Sequence, residues 1–425
     1  MQTLEKYGVN YYNDSHGSVP CTLFQRAGMP IYIIGSFFCG SQFDVIPGTA
    51  HFLEHMLVAG TKKYPSKKQL SITLEELGGV FGAYTQQDFL RMNVEIAERG
   101  DISVGMDMLN EMVNNPLFDD QTFENERGAI LSEYHVRKSN PQSFIWDVYG
   151  RLFFQGTEFS HSIIGTEESI QSISKQDVLD YYHHIFLKNP VSWIVAGDLD
   201  YEELEKGLNA VSQNENGRQT ILSSKTMPKI REKYIDVEIY EGKNASIIFG
   251  FRTEPVSQTN VQDLDILLNY LAMGRSATLV EELRYKKGLV YSVGGYKNSS
   301  LGLGAWSIST NFNAEHAQEV INTIVREIKK VLEFGIPEDD LIFVKNKLIK
   351  SNLRKMQTAK DWVTNHCSAS FLINPERYLV TNYEKLIATA SAQSICDTAR
   401  KYFTEDNWYL AMCGPESLKN IEVNF

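Results

Sequence analysis

The sequence predicts an α+β protein made of two similar, duplicated domains, each a mainly antiparallel sheet packed with helices. Three features predict it: chain length, β-rich runs interleaved with helical periodicities, and a second half that follows the pattern of the first. With 425 residues the chain exceeds what one hydrophobic core ordinarily serves, so two domains of roughly 200 residues are expected. Hydrophobic residues make up 43% and charged residues 22%, a balance that excludes disorder and fibrous repeats. Hairpin signals among the extended runs favour α+β over a doubly wound parallel sheet.

In chain order, Ile31-Tyr-Ile-Ile-Gly-Ser-Phe-Phe38 is rich in β-formers and reads as a strand, broken by Pro47-Gly48. Thr49 suits the N-cap of a helix from Ala50 to Ala59, and Gly60 suits its stop. A second helix runs from Lys67 to Leu77 and ends at Gly78-Gly79; residues Val80 to Ile96 read as extended. Helices follow at Ile102–Asn114, Asp120–Lys138 and Lys175–Ile185, then a strand at Val191–Gly197. The polar stretch 212–233, with Asn214-Glu-Asn-Gly-Arg218, is expected to link a catalytic domain, 1–211, to a second domain, 234–425.

The second half repeats this order at a distance of a little over 210 residues. Ala245–Gly250 echoes the early strand, and Leu264–Met273 before Gly274 echoes the helix before Gly60. Ala317–Phe334 and Asp339–Lys355, joined by Gly335-Ile-Pro337, echo the later helix pair. Opposite His51, Glu54 and His55 stand Asp265, Leu268 and Asn269, so only the first half is expected to hold a metal.

The net charge of −12 repels phosphate backbones and argues against nucleic acid as a partner. Five cysteines, Cys21, Cys39, Cys367, Cys396 and Cys413, are odd in number and form no CxxC pair. They suit buried thiols in a reducing compartment rather than a disulfide framework. The N-terminal stretch lacks the apolar core of a signal peptide, and no apolar run approaches the ~20 residues of a membrane span. A cytoplasmic location is expected.

The chemistry concentrates in His51-Phe-Leu-Glu-His55. Each helical residue advances about 100°, so His51 and His55 lie about 40° apart on one face and can meet one ion. Two imidazoles and a carboxylate suit Zn²⁺ with one position left for water. Glu54, within the same turn, is the expected general base on zinc-bound water and later returns the proton to the leaving amine. The order H-x-x-E-H inverts the commoner zincin arrangement. A third ligand must come from elsewhere, and the helix over 120–138 carries Glu124, Glu126 and Glu133, which spacing alone does not separate.

The segment Gly48-Thr-Ala-His-Phe-Leu-Glu-His-Met-Leu-Val-Ala-Gly-Thr61 resembles the active-site helix of the pitrilysin or insulinase family of metallopeptidases. Glu126-Arg-Gly-Ala-Ile-Leu-Ser-Glu133 fits that family's second helix, and Ser160-His-Ser-Ile-Ile-Gly165 and Val195-Ala-Gly-Asp198 look like further landmarks. The resemblance implies Glu133 as third ligand of one zinc per chain and Glu126 as a carboxylate orienting a ligand histidine. In the second half, Arg284-Tyr-Lys-Lys-Gly-Leu-Val-Tyr291 resembles the family's substrate-contacting arginine–tyrosine pair. Without the resemblance, a helix-end arginine and a core tyrosine would be the plainer reading. By the resemblance, Arg284 grips a substrate carbonyl and Tyr291 stabilises the oxyanion.

Family members often place Asn-Ala on the edge strand that receives substrate; here the strand reads Gly82-Ala83-Tyr84-Thr85, which keeps backbone pairing and loses a side-chain contact. The implied function is zinc-dependent endopeptidase or oligopeptidase action on short or unfolded peptides. A homodimer is implied, with a related second chain as the other arrangement. The alternative is a non-catalytic assembly or peptide-binding subunit of a related peptidase complex.

Overall fold

A computed structural model describes residues 1–14, 19–211 and 233–425. All of the expected linker 212–233 except Lys233 lies outside these residues. The first sheet contains β1 (Gln2–Leu4), β2 (Val9–Asp14), β3 (Cys21–Gln25), β4 (Ile31–Phe37), β5 (Val80–Thr85), β6 (Leu90–Ile96) and β7 (Val191–Gly197), in the order β1-β2-β3-β7-β4-β6-β5. The second contains β8 (Ile235–Ile239), β9 (Asn244–Thr253), β10 (Val290–Asn298), β11 (Gly304–Asn313) and β12 (Trp408–Gly414), in the order β10-β11-β9-β12-β8.

The duplication is visible strand for strand. β5-β6-β4-β7-β3 of the first sheet corresponds to β10-β11-β9-β12-β8 of the second. Each sheet is antiparallel except for one pair, and that pair is equivalent: β3 with β7 and β12 with β8. In the first half, helix α1 (Thr49–Leu57) and helix α2 (Lys67–Glu75) connect β4 to β5, while helix α3 (Ile102–Asn114) and helix α4 (Asp120–Ser139) follow β6. In the second half, Val261–Leu271 lies between β9 and β10, and Ala317–Phe334 and Glu338–Lys355 follow β11.

The compact units are not the contiguous domains 1–211 and 234–425 expected from the sequence. The first is built from Met1–Tyr134, His161–Ser223 and Asn352–Leu379, the second from His135–Ser160, Ser224–Ser351 and Val380–Phe425, counting their described residues. The physical reason lies in the two faces of each sheet. Successive strand residues point to opposite faces, and every residue of β4 is buried, so both faces need cover. In the second unit, Phe249, Leu410 and Met412 join the core formed with that half's own helices. Ile248, Ala411 and Cys413 point the other way and are covered by helix α5 (Pro141–Phe153) through Ile145, Val148 and Leu152. Arg151 of α5 pairs with Glu238 at 2.9 Å and also with Asp236. Reciprocally, the first unit takes Ala359–His366 from the later half, which packs on β4 and β7 and buries Trp362 fully. Periodicity reports that a helix has an apolar face, not which sheet that face covers.

Helix α1 begins differently from the expectation too. Thr49 is its first residue rather than its N-cap, and its hydroxyl turns back to the Ile46 carbonyl at 2.7 Å. The orphan N–H groups are met by Asp44, whose carboxylate accepts from Gly48 and Ala50, both at 2.9 Å. Burial pushes the Asp44 carboxyl up to about 7, against the pull of those backbone N–H groups. Gly48 adopts φ 101°, and a Cβ there would stand 2.7 Å from the Ile164 carbonyl oxygen. The segment ending at Gly165 thus closes over the helix entry, and Ser169 Oγ fastens it to the Pro47 carbonyl at 2.8 Å.

Two expectations follow. Asp44→Ala removes the cap of α1 and should cost about 0.5–2 kcal/mol in denaturant unfolding; stability equal to the parent's would show that the cap is dispensable. A fragment comprising residues 1–211 keeps α5 without the sheet it covers and lacks 352–379, so it should show no cooperative thermal transition. A fragment melting cooperatively at the full chain's Tm would contradict the exchange of segments.

Candidate functional site

The site starts from the docking of α1 on α4. Phe52, Leu53, Met56 and Leu57 are fully buried, leaving the opposite stripe of α1 to His51, Glu54 and His55. Phe52 stacks on Phe123 of α4 with ring centroids 4.4 Å apart, and the Arg127 guanidinium lies 5.0 Å from the Phe123 centroid and 5.5 Å from that of Phe52. Burying a side chain such as Phe52 contributes about 1.5–3 kcal/mol. Arg127 also donates to the carbonyls of Ile170 and Ile173, the latter at 2.8 Å. That arginine tethers the 170–173 turn to α4, a role that helical spacing does not announce.

Docked this way, three side chains converge. One potential ligand atom each from His51, His55 and Glu133 lie within 4.8 Å of one another. Glu133 Oε2 stands 3.8 Å from His51 Nε2 and 3.7 Å from His55 Nε2. A tetrahedral zinc site with bonds of about 2.0–2.2 Å separates its ligands by about 3.3–3.6 Å; the donor set fits, and the two separations to Glu133 lie slightly beyond that range. Of the carboxylates that spacing left equivalent, Glu133 faces both histidines, Glu126 faces one, and Glu124 pairs with Arg127 at 3.0 Å.

Glu126 Oε2 lies 2.8 Å from His55 Nδ1. In the neutral ring this contact places the proton on Nδ1 and leaves the Nε2 lone pair for a metal. Burial pulls the His55 pKa down, but the hydrogen bonds to Glu126 and Glu133 outweigh it and lift the group to about 9. The bond from His55 holds Glu126 below its ordinary value. Both shifts express one preference of the pocket, for positive charge beside its carboxylates.

Glu54 is directed elsewhere. Its Oε2 accepts from the Thr85 hydroxyl at 2.7 Å, and burial raises its pKa despite that bond. Thr85 ends β5, which lies at the end of the first sheet's strand order and so is an edge strand carrying Gly82 and Ala83. Gly82 pairs with Asn93, and a Cβ on it would sit 3.2 Å from Asn93 Oδ1. A cavity of about 350 Å³ opens between α1, α2 and β5, lined by Glu54, His55, Lys67, Leu74, Phe81 and Gly82 among others.

Arg284 and Tyr291 belong to the second unit. Arg284 sits in the widened turn Glu281–Lys286, with its guanidinium 5.3 Å from the Tyr291 ring centroid. Val290 pairs with Phe312 and Ser292 with Asn311, so Tyr291 is the extra residue of a bulge in β10. A bulge re-aims its side chain, and Tyr291 is 82% exposed rather than in the core. Asp265 of this unit binds Lys297 at 2.6 Å. The offset that pairs His51 with Asp265 also pairs Glu133 with Lys347, which lies beside the Asn269 carbonyl. Among the described residues, His51, His55 and Glu133 are the one group arranged to hold a metal.

No helix among the described residues is long and apolar enough to cross a membrane. Residues 37–167 match the family model described as Insulinase (Peptidase family M16), and residues 172–348 match that of the Peptidase M16 inactive domain. The chain is 24% identical over 381 residues to an uncharacterized zinc protease, YmxG, of Bacillus subtilis, covering 88% of this chain and 91% of the relative. It is 22% identical over 378 residues to mitochondrial-processing peptidase subunit beta of Bos taurus, covering 87% and 76% respectively. A crystal structure of a peptidase M16 inactive domain from Pseudomonas fluorescens superposes with a TM-score of 0.85 at 18% identity, covering 96% of this chain and 98% of that one. A Helicobacter pylori protease gives 0.81 at 17%, covering 96% and 100%. These structural likenesses establish the fold, a pair of duplicated α+β domains. With both halves matched in series, the chain belongs to the insulinase (M16) family of peptidases.

Proposed function

We propose that the protein is a zinc-dependent endopeptidase or oligopeptidase. The observation that carries the reading is the meeting of His51, His55 and Glu133 one helical turn from a separately held carboxylate, Glu54, beside an edge strand. His51, His55 and Glu133 would hold the metal, with Glu126 orienting His55. Zinc, when bound, supplies a Lewis acid that polarises a carbonyl and acidifies water. Glu54 takes the proton of the attacking water and delivers it to the leaving amine.

The peptide adds as a strand along Gly82–Thr85, using the unpaired backbone groups of the edge. Strand addition requires free backbone groups on the substrate, which favours short or unfolded peptides, because folded proteins have already paired theirs. The cavity beside Gly82 and Phe81 offers room for a substrate side chain. The five cysteines are free, in keeping with a reducing, cytoplasmic setting.

Tyr291 donates its hydroxyl to the developing oxyanion and Arg284 grips the peptide. In our reading they serve the zinc site of a second copy in a two-fold dimer. Both sets of residues stand in one chain, which favours two identical subunits over two specialised ones, and the exposure of Tyr291 suits a role outside its own core.

Glu54→Gln should keep stoichiometric zinc and lose about 10²–10⁴-fold in hydrolysis of a quenched peptide; hydrolysis at the parent's rate sinks the mechanism. Glu133→Ala should lose the metal, and zinc retained at one per chain would move the third ligand elsewhere. Mixing tests the dimer. Glu54→Gln and Tyr291→Phe chains should each be nearly inactive, while their co-refolded mixture regains one competent site per mixed dimer. A fully active monomer in light scattering, or a mixture that stays inactive despite subunit exchange, rules out action in trans.

A further inference from the structure

We propose that Thr85 is a positioning residue that fixes Glu54 and ties the base to the strand receiving the peptide. The inference rests on the peptidase reading above. A glutamate's last torsion is broad, so a carboxylate without a fixed partner samples many orientations. The Thr85 hydroxyl restricts that freedom by donating to Oε2 at 2.7 Å, and the Thr85 backbone N–H also bonds the carboxylate, so both of its polar groups hold Glu54.

Thr85 is itself held from both sides. It pairs with Leu90 across the hairpin. Its neighbours are bound by Arg91 Nη1, which donates to Tyr84 Oη at 3.3 Å and to Gln86 Oε1 at 2.8 Å. Arg91 is buried and also donates to Ser36 Oγ of β4 at 2.9 Å and to the Cys367 carbonyl. The chain closes further where the Gln86 N–H donates to the Phe89 carbonyl at 2.7 Å. Thr85 also has a β-branched side chain with few rotamers. Its hydroxyl is therefore presented from a rigid point on the sheet rather than from a loose loop.

The consequence is a shared frame. A peptide added to β5 takes its position from the backbone of Gly82–Thr85, and Glu54 takes its position from the last residue of the same strand. Scissile bond and base then move together. A displacement of about 1 Å between reacting groups costs about 10²-fold in rate, which sets the expected size of the effect.

Thr85→Val keeps volume, branching and strand preference while deleting the donor; Thr85→Ser keeps the donor. Both are compared with the parent and Glu54→Gln for quenched-peptide kinetics, zinc content and Tm. Thr85→Val should retain zinc and keep KM within about twofold while kcat falls about 10- to 100-fold. Thr85→Ser should recover kcat to within about fivefold of the parent. If Thr85→Val loses its cooperative transition, Thr85→Ala takes its place with the same readouts. Parent-like kcat without the hydroxyl, a loss confined to KM, or a serine variant as slow as the valine one overturns the inference. If the parent turns nothing over, or Glu54→Gln matches it, the peptidase reading falls instead. An active parent, an inactive Glu54→Gln and an unimpaired Thr85→Val reject the role of Thr85 alone.

Discussion

The candidate site depends on the seating of α1, which packs on β5 and on the helix Lys175–Tyr181 and stacks Phe52 on Phe123 of α4. His51 and His55 are adjacent by helix geometry, but Glu133 comes from another helix, and no local rule brings it to them. The Phe52–Phe123 stack and the guanidinium of Arg127 set the spacing between the two helices. A shift of one helical residue would move a ligand atom by more than a coordination bond tolerates. The ligand positions therefore inherit their precision from aromatic packing behind them, and the cap from Asp44 and the close approach at Gly48 fix α1 along its own axis.

The same logic of cover explains the exchange of segments. A sheet with an inner strand buried on both faces, as β4 is, cannot be completed by helices on one side. Helix α5 and the helix Ala359–His366 supply the second layers, each to the unit that the other half begins. Duplication preserves this plan and relaxes the chemistry. In the second unit Lys347 stands opposite Glu133 in the repeat, and its ammonium lies beside the Asn269 carbonyl.

Much of this was legible in the sequence. The repeat, the antiparallel strands and the H-x-x-E-H helix follow from periodicity and turn residues, and the edge position of Gly82 and Ala83 was implied by resemblance before the sheet order placed them there. Glu133 could be chosen over Glu126 only through resemblance, because residues two turns apart share a face and the choice depends on where α1 lies. The exchange of α5 was illegible for a related reason: a buried face names no partner. Thr85, Arg91 and Asp44 escaped because a threonine in a strand, an arginine in a β-rich run and an aspartate in a loop carry no signal of their partners. A role for Tyr291 was suggested only by resemblance; its bulge depends on pairing with β11, which a single strand's sequence does not disclose.

The two halves place their distinctive side chains on corresponding edge strands, at opposite ends of them. β5 and β10 are corresponding edge strands, each hairpin-paired to an inner neighbour. The first ends in the threonine that holds Glu54, and the second begins with the bulge that exposes Tyr291 beside Arg284. An edge strand is the one place in a sheet where backbone groups stay available to a peptide, so side chains at its ends lie beside any chain that pairs with it. A duplicated fold provides two such edges at no change of architecture. One copy carries His51 and His55 on the helix beside its edge, and the other has the Arg284 guanidinium and the Tyr291 phenol beside its own. In the proposed mechanism the division suits electrostatics: a metal with its proton-accepting carboxylate is favoured by carboxylates, whereas a developing oxyanion is favoured by donors and positive charge.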